Sequence, residues 1–203
     1  MEGELELPRS EHWAAWRARV AASDPAGAEA SLRAFVDEAG AWPAERRRKW
    51  VETWCRAAFD AHEPLPWPAS LAQGLVLPEL ARGVRAGRRG HARWMAQVPH
   101  ALDAHRGAAG LPAGGGWREA LLEAAIALDP GDDRARRLLV AHLRSEVEWA
   151  CAGPDGRRAG PQWVADRALR IAALSALLGE PCREDVDRWL GTAAGWASGR
   201  LVR

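Results

Sequence analysis

Apolar residues recur at helical spacing along most of this chain. The clearest case is Leu139, Leu143 and Val147, which follow one another at i, i+4 and i+8 with charged residues between them. That spacing places the three side chains on one face of an amphipathic helix. Residues 129–132, Asp-Pro-Gly-Asp, separate this helix from an equally amphipathic segment before it. Such a hairpin cannot bury its apolar faces alone, so the pattern predicts further helices stacked beside it.

Residues typical of helix ends mark out the other predicted helices. Asp24 and Pro25 are favoured at the cap and the first position of a helix. Gly40 is favoured where a helix ends, and Pro43 opens the next one. With the apolar spacing, these signals predict helices over residues 10–22, 25–40, 43–62, 69–84, 88–98, 117–128, 133–150, 162–178 and from 183 onward, and a weaker one ending at residue 105. No stretch alternates with period two, so we predict an all-α fold of about eight or nine helices, in a stack or bundle of mostly antiparallel neighbours.

Two segments interrupt the helical pattern. Residues 63–68 contain three prolines, which remove backbone donors and restrict the residues before them, so we predict a rigid connector and a subdomain seam there. Residues 107–116, rich in glycine, predict a flexible loop. Pro78 is expected to kink or break the helix over residues 69–84. Otherwise the 203 residues are predicted to form one domain, 1–203.

The composition is skewed towards tryptophan and arginine. There are 12 tryptophans but no tyrosine, and Lys49 is the single lysine. The wealth of arginine and alanine is typical of a GC-rich, bacterial-type genome. Tryptophan needs a partner for its indole N–H when it is buried, so we expect several indoles to line a groove rather than the core. The net charge of +1, from 28 basic and 27 acidic residues, gives no long-range field and argues against a nucleic-acid or anionic-lipid partner.

The chain shows no targeting or disulfide pattern. Its mean hydropathy is −0.31, and no apolar run approaches the length of a membrane span. The first 13 residues are acidic and lack the apolar core of a secretory signal, so we expect a cytoplasmic protein. Cys55, Cys151 and Cys182 are isolated from one another, which predicts three buried free thiols rather than a disulfide or a zinc site.

Residues 117–143 resemble the tetratricopeptide repeat family. The resemblance rests on the helix ending and turn formed by Ala125, Leu128, Asp129 and Pro130. Leu139 and Leu143 then fall where the second helix of such a repeat has apolar residues. Val140 and Arg118 stand where the family prefers small residues, and no 34-residue period runs through the chain. The resemblance covers about one repeat and implies stacked helical hairpins with a concave face for binding another protein.

The strongest candidate binding site is a basic run next to tryptophans. Residues 46–49, Arg-Arg-Arg-Lys, lead into Trp50 and Trp54, and interleaved cations and indoles can bind an acidic peptide or a phosphate backbone. The alternative is a solvated helix face over two core tryptophans, with Glu45 and Glu52 diluting the charge. A second basic patch consists of Arg82, Arg85, Arg88, Arg89 and Arg93. If the two helices are neighbours, we expect the partner-binding residues to be Arg46, Arg47, Trp50, Trp54, Arg85 and Arg89.

The sequence contains no pattern that predicts a metal site, a cofactor site or a catalytic site. His100 and His105 are five residues apart, which is not the i, i+3 or i+4 spacing of metal ligands on one helix, and Asp103 can join only one of them comfortably. The glycine-rich loop lacks both the strand before it and the Gly-Lys-Ser/Thr ending of a phosphate-binding loop. No nucleophile or metalloprotease motif occurs, so nothing argues for an enzyme, although carboxylates and six histidines leave the question open.

We therefore expect an interaction module that binds another protein or peptide through a surface rich in tryptophan and arginine. A dedicated inhibitor or immunity-type protein that neutralises one enzyme is the first alternative. The second is a ligand binder or enzyme with a tryptophan-lined pocket between helices. A cleft that holds at least two of four histidines would favour that alternative: His91, His100, His105 and His142.

Overall fold

The computed structural model describes residues 10–63, 65–98, 116–152, 159–180 and 182–198. Counted as continuous runs, these residues form nine helices, and the described ranges contain no strand. The predicted all-α class and helix number are therefore confirmed. The coordinates divide into two compact units, Met1–Trp117 and Arg118–Arg203. The division follows the glycine-rich segment, whereas the proline-rich connector 63–68 lies within the first unit.

The first unit contains six α-helices and two π-helical segments. They are α1 (Glu11–Ala21), α2 (Pro25–Gly40), α3 (Ala44–Cys55) with a π-helical end (Arg56–Asp60), α4 (Ala69–Leu71), a second π-helical segment (Ala72–Val76), α5 (Leu77–Arg85) and α6 (His91–Gln97). Helix α1 packs on α2, which contacts α4 and the second π-helical segment, while α5 packs against both α3 and α6.

Helix starts in this unit follow the capping residues in the sequence. The Asp24 side chain accepts a hydrogen bond from the backbone N–H of Gly27 at 3.0 Å, and Pro25 occupies the first helical position. Ser10 does the same for α1 by accepting from the Trp13 N–H at 3.3 Å. Each side chain satisfies a backbone donor that the first helical turn leaves unpaired. The predicted starts of α1 and α2 are confirmed.

The core of the first unit is built from aromatic rings. Trp50 and Trp54, one turn apart on α3, stack with ring centroids 5.4 Å apart, and Trp13 meets both edge-on at 5.5 and 5.3 Å. Phe35 from α2 packs against Trp13 and Trp50. Such tilted and edge-to-face contacts add to the burial of large apolar area.

The expectation that several tryptophans line a groove is corrected by their burial. Eight of the 12 are buried: Trp13, Trp16, Trp42, Trp50, Trp54, Trp94, Trp117 and Trp189. Trp67, Trp163 and Trp196 are half-buried, and Trp149 is 63% exposed. The indole N–H groups of Trp13, Trp50 and Trp54 have no hydrogen-bond partner, so packing area outweighs the unmade bond in this core.

Pro78 does not end its helix. The run from α4 to α5 is continuous because its middle, Ala72–Val76, is π-helical. The N–H of Leu77 donates to the carbonyl of Ala72, five residues back, immediately before the proline that has no N–H to donate. Gly74 in the same segment lies so close to Val36 that an added β-carbon would overlap that side chain. The π-helical turn and the glycine therefore let this helix pass Pro78 while packing tightly on α2.

The second unit consists of two helical hairpins. Its helices are α7 (Trp117–Leu128), α8 (Asp133–Ala152), α9 (Pro161–Leu177) and α10 (Arg183–Ala197). Helix α9 packs against both α8 and α10, which also contact each other. The predicted stripe of Leu139, Leu143 and Val147 is buried, as are Ile171 of α9 and Trp189 of α10.

The turn between α7 and α8 is capped by its aspartates. Asp132 accepts from the N–H of Ala135 at 2.9 Å, and Asp129 accepts from the N–H of Gly131 at 3.2 Å. The helix predicted to end at residue 105 and nearly all of the predicted loop 107–116 lie outside the described residues.

None of the described helices combines the length and the hydrophobicity needed to cross a membrane.

Candidate functional site

The structure places the two tryptophans of the predicted binding surface in the core. Trp50 and Trp54 are both 0% exposed. Their rings face Trp13 and Phe35 rather than solvent. Neither side chain is available to a partner in this conformation. The structure therefore agrees with the alternative interpretation of the sequence, in which Trp50 and Trp54 are core residues.

Most of the basic run beside them is engaged in ion pairs. Lys49 pairs with Glu45 at 3.2 Å, and Arg48 lies 3.7 Å from Glu52. Arg47 donates to the carbonyls of Gly40 and Trp42 at 3.1 and 3.2 Å, at the end of α2. The two ion pairs lie within α3, whereas Arg47 ties α3 to the end of α2, and together these contacts use much of the local positive charge.

The two basic patches do lie on neighbouring helices. Glu79 of α5, whose side chain is 5% exposed, accepts from Arg47 of α3 and from Arg82 one turn along α5. Arg85 and Arg89 are exposed. Arg46 is also exposed, and its guanidinium lies 4.2 Å from the centre of the Trp42 ring. Whether Arg46, Arg85 and Arg89 bind a partner stays a prediction.

His91 fills a recess between α5 and α6. The side chain is 2% exposed, and an added β-carbon at Gly83 would overlap its ring. Its Nδ1 lies 3.3 Å from the carbonyl of Arg89, and its Nε2 lies 3.6 Å from Glu52. Burial lowers the pKa of His91, with Arg88 and Arg48 adding to the shift and Glu52 opposing it. This histidine is a neutral packing residue at neutral pH.

A second buried ion pair ties α6 to the end of α3. Arg93 donates to both carboxylate oxygens of Asp60, at 2.6 and 3.4 Å, and the indole N–H of Trp94 donates to the same carboxylate at 3.1 Å. The Arg93 side chain is 11% exposed. A paired guanidinium is the form in which a buried charge is tolerated.

The second unit contains a charged network between three helices. Arg167 of α9 donates to Glu119 of α7 at 2.9 Å and to Glu146 of α8 at 3.0 Å. Arg170 pairs with Glu119 and with Glu123, both on α7. The network therefore fixes α7 and α8 against the same side of α9.

His142 and two carboxylates of this network have the composition of a metal site. One atom each of Glu119, His142 and Glu146 lie within 4.8 Å of one another. Both carboxylates already accept from Arg167, however, and a cation would have to displace that guanidinium. Burial lowers the pKa of His142, with nearby Glu146 raising it and Arg118 lowering it further. The arrangement is that of an ion-pair network in which the arginine already supplies the positive charge.

A face of α9 beside this network carries exposed apolar residues. Leu169 is 57% exposed and Leu177 is 68% exposed, and Ala173 and Ala176 between them are also exposed. At 100° per residue these positions share one face of the helix. In α9 the charged residues are Asp166, Arg167 and Arg170, of which both arginines point into the network described above. We call Leu169, Ala173, Ala176 and Leu177 the α9 stripe.

A shallow hollow borders the α9 stripe. It has a volume of about 430 Å³ and lies between α9 and α10, lined by Ala172, Ala176, Cys182 and Val186. Glu180 and Arg183 also line it. Apolar side chains with a few charged groups beside them are typical of a surface that receives a side chain from a partner.

Sequence reasoning missed this face for an identifiable reason. Residues 162–178 are mostly apolar, and a helix that is apolar all round is expected to be buried on all sides. Which side stays open depends on which neighbours exist, and only the packing of α8 and α10 determines that. The available signal was the scarcity of charged residues between Leu169 and Leu177.

No protein-family model, curated protein or solved structure matches this chain.

Proposed function

We propose that the protein is a helical protein–protein interaction module and that the α9 stripe is its binding surface. The observation that carries this proposal is the exposure of Leu169 and Leu177 on a face without a polar side chain between them. Contiguous apolar surface of this kind marks interaction sites in soluble proteins. Two of the three charged residues of α9, Arg167 and Arg170, are engaged in ion pairs with α7 and α8.

Covering the exposed leucines of the α9 stripe contributes favourably to the free energy of binding. Fully burying an exposed leucine contributes about 1.5–3 kcal/mol. Because Leu169 and Leu177 are 57% and 68% exposed, covering both contributes about 2–4 kcal/mol before the costs of association. The neighbouring alanines cost little side-chain entropy when they are ordered by a partner.

Stacked hairpins of the tetratricopeptide type are part of this proposal. Its support is the order of contacts in the second unit: α7 joins α9 through Glu119 and Arg167, α8 packs on α9, and α10 completes the second hairpin. Asp132 caps α8 by accepting from the N–H of Ala135, and Asp129 accepts from the N–H of Gly131 within the turn.

A cytoplasmic location is also proposed. Cys55, Cys151 and Cys182 are all free, but Cys55 alone of the three is buried, so the prediction that all three are buried is wrong for the half-buried Cys151 and Cys182. Burial raises the pKa of the Cys55 and Cys151 thiols, which keeps them protonated and unreactive. Free thiols are typical of a reducing compartment.

Site-specific photo-crosslinking tests the binding surface. A benzophenone amino acid placed at Ala173 is expected to give one discrete adduct in the cells that encode the protein. The same group at Asp133, which is exposed on α8, is the control and should not give that adduct. Leu169→Lys combined with Leu177→Lys should abolish it. The absence of any adduct at position 173, whether with this chain or another, would overturn the proposal.

A further inference from the structure

Three side chains of the kind that bind metals meet between α7 and α8. His142 and Glu146 stand one turn apart on α8, at the i, i+4 spacing of metal ligands on one helix face. The pair alone does not define a metal site, but Glu119 of α7 joins it, and one atom from each residue lies within 4.8 Å of the others. The side chains of His142, Glu146 and Glu119 are 17%, 27% and 14% exposed. This mostly buried group therefore differs from the solvated acids of a helix surface.

Two of the potential ligand atoms make no hydrogen bond with the described residues. The Nε2 of His142 is buried and has no hydrogen-bond partner. The Oε1 of Glu146 lies 3.6 Å from it, too far for a hydrogen bond, while Arg167 donates to the other oxygen, Oε2. A separation of this size is close to the edge, about 3.4 Å, of a zinc tetrahedron with bonds of about 2.1 Å. The two atoms are therefore placed as neighbouring ligands of one cation.

From these contacts we propose that Glu119, His142 and Glu146 form a zinc-binding site, in which the cation takes the place of the Arg167 guanidinium. Zinc held by three protein ligands keeps its fourth position for water. The proposal uses none of the residues of the α9 stripe. It therefore goes beyond the proposed function and can fail without affecting it.

Arg167 marks the position that the cation would take. Its guanidinium donates to Glu146 at 3.0 Å and to Glu119 at 2.9 Å, so one positive group already bridges the two carboxylates. A divalent cation brings a second charge and also binds the Nε2 of His142, which the guanidinium leaves without a partner. The displaced guanidinium can remain against the ring of Trp163, whose centre is 4.2 Å away.

The protonation state of His142 agrees with a role as a ligand. Burial lowers the pKa of His142, and the nearby Glu146 opposes that shift only in part. The imidazole is therefore neutral at neutral pH, which is the form that binds a metal ion.

The ligand set favours zinc over magnesium. Imidazole nitrogen is a good ligand for zinc, whereas Mg²⁺ prefers oxygen ligands in an octahedron and keeps several waters. We expect Zn²⁺ to bind at least about tenfold more tightly than Mg²⁺. Equal affinities for the two cations would overturn the assignment, because they would indicate a carboxylate site in which His142 takes no part.

Isothermal titration calorimetry of zinc chloride into the full chain tests the site. Cys151→Ser and Cys182→Ser first remove the half-buried thiols as competing ligands. His142→Gln and Glu146→Gln should each weaken zinc binding by at least about tenfold, while circular dichroism verifies that the variants are folded. His12→Gln is the control, because His12 is an exposed histidine of α1; it should leave the affinity unchanged. Absence of zinc binding, or an affinity that neither substitution at the site lowers, would overturn the proposal.

Arg167→Leu tests the displacement. Without the competing guanidinium, zinc should bind at least about tenfold more tightly, and it should raise the melting temperature by more than it does in the unaltered chain. Arg137→Leu is the matched control, because Arg137 pairs with Glu180 at 2.8 Å, outside the cluster; its zinc affinity should be that of the unaltered chain. A zinc affinity that is unchanged or lower in Arg167→Leu would overturn the exchange of arginine for metal.

Discussion

At the scale of single residues, Gly83 and the ring of His91 form a close contact in the first unit. The glycine lies two residues before the end of α5, within a helix, where glycine is intrinsically unfavourable. Its presence is explained by the His91 ring, which occupies the space that a β-carbon would need. The recess holds a histidine that is almost fully buried, so a substitution at either residue disturbs the same contact.

We predict that Gly83→Ala destabilises the protein by about 1–3 kcal/mol, because the added methyl group forces the ring to move in a packed core. Urea unfolding followed by circular dichroism measures the change. Gly191→Ala is the matched control: Gly191 also lies in a helix, and nothing surrounds its β-position. It should be neutral or stabilise by up to about 1 kcal/mol through helix propensity. Equal effects of the two substitutions would contradict the packing argument.

The buried histidines predict how stability depends on pH. The pKa values of His91 and His142 are lowered in the folded protein, mainly by burial. As the pH falls below the unfolded-state pKa of about 6.5, the unfolded chain takes up protons before the folded one, so the folded state loses stability. The contribution is fully present above that pH and is lost as the pH falls towards the folded-state pKa.

We therefore expect the free energy of unfolding to be lower at about pH 5.5 than at about pH 7.5. His91→Gln should reduce this difference, because it removes one of the two groups. Urea titrations at both pH values provide the measurement. A pH dependence that is unchanged in both His91→Gln and His142→Gln would show that other groups are responsible.

At the scale of elements, the sequence predicted where helices begin and which faces they bury, but not that a helix continues through Pro78. Asp24 and Pro25 act on the helical turn next to them, and Leu139, Leu143 and Val147 lie on one face of a single helix. These features could therefore be predicted from residues that are close together in the sequence. The π-helical segment before Pro78 depends on the close approach of Gly74 to Val36, a contact between distant positions in the chain. The sequence predicted a kink or a break at Pro78, and the break is wrong because the helix continues through the proline.

The junction between the end of α3 and α6 provides a prediction at the same scale. Asp60 binds both Arg93 and Trp94, and the Arg93 side chain is 11% exposed. Asp60→Ala removes the carboxylate from a mostly buried guanidinium and should cost about 2–4 kcal/mol. Arg56→Ala is the control, since it breaks only an exposed pair with Glu52 at 3.6 Å; such pairs contribute at most about 1 kcal/mol. Thermal unfolding of both variants compares the two effects.

At the scale of the whole molecule, the sequence predicted the kind of site that we propose, a protein-binding surface, but not its position on α9. Composition pointed to a protein-binding surface, and it directed attention to Trp50 and Trp54 because they stand beside arginines. Those indoles are in the core because the rings of Trp13 and Phe35 enclose them, which requires α1 and α2 to pack beside α3. The α9 stripe became visible for the converse reason, since no described helix covers Leu169 or Leu177.

The division into two compact units leads to a prediction about the second one. The fragment from residue 116 to residue 203 contains its own apolar core, with Leu139, Leu143 and Val147 of α8 against Ile171 and Trp189. It also keeps every partner of the Arg167 network, which lies on α7, α8 and α9. We expect the isolated fragment to be helical and to unfold in one cooperative urea transition.

If this fragment folds alone, it should also give the discrete photo-adduct at Ala173, because the α9 stripe lies wholly within it. Leu169→Lys with Leu177→Lys should then abolish the adduct of the fragment while leaving its urea transition midpoint unchanged, since both side chains are exposed. Photo-crosslinking and circular dichroism on the same variants measure the two properties. A fragment without a cooperative transition would show that the second unit depends on the first for its fold, and a folded fragment that gives no adduct where the full chain does would show that the first unit contributes to binding.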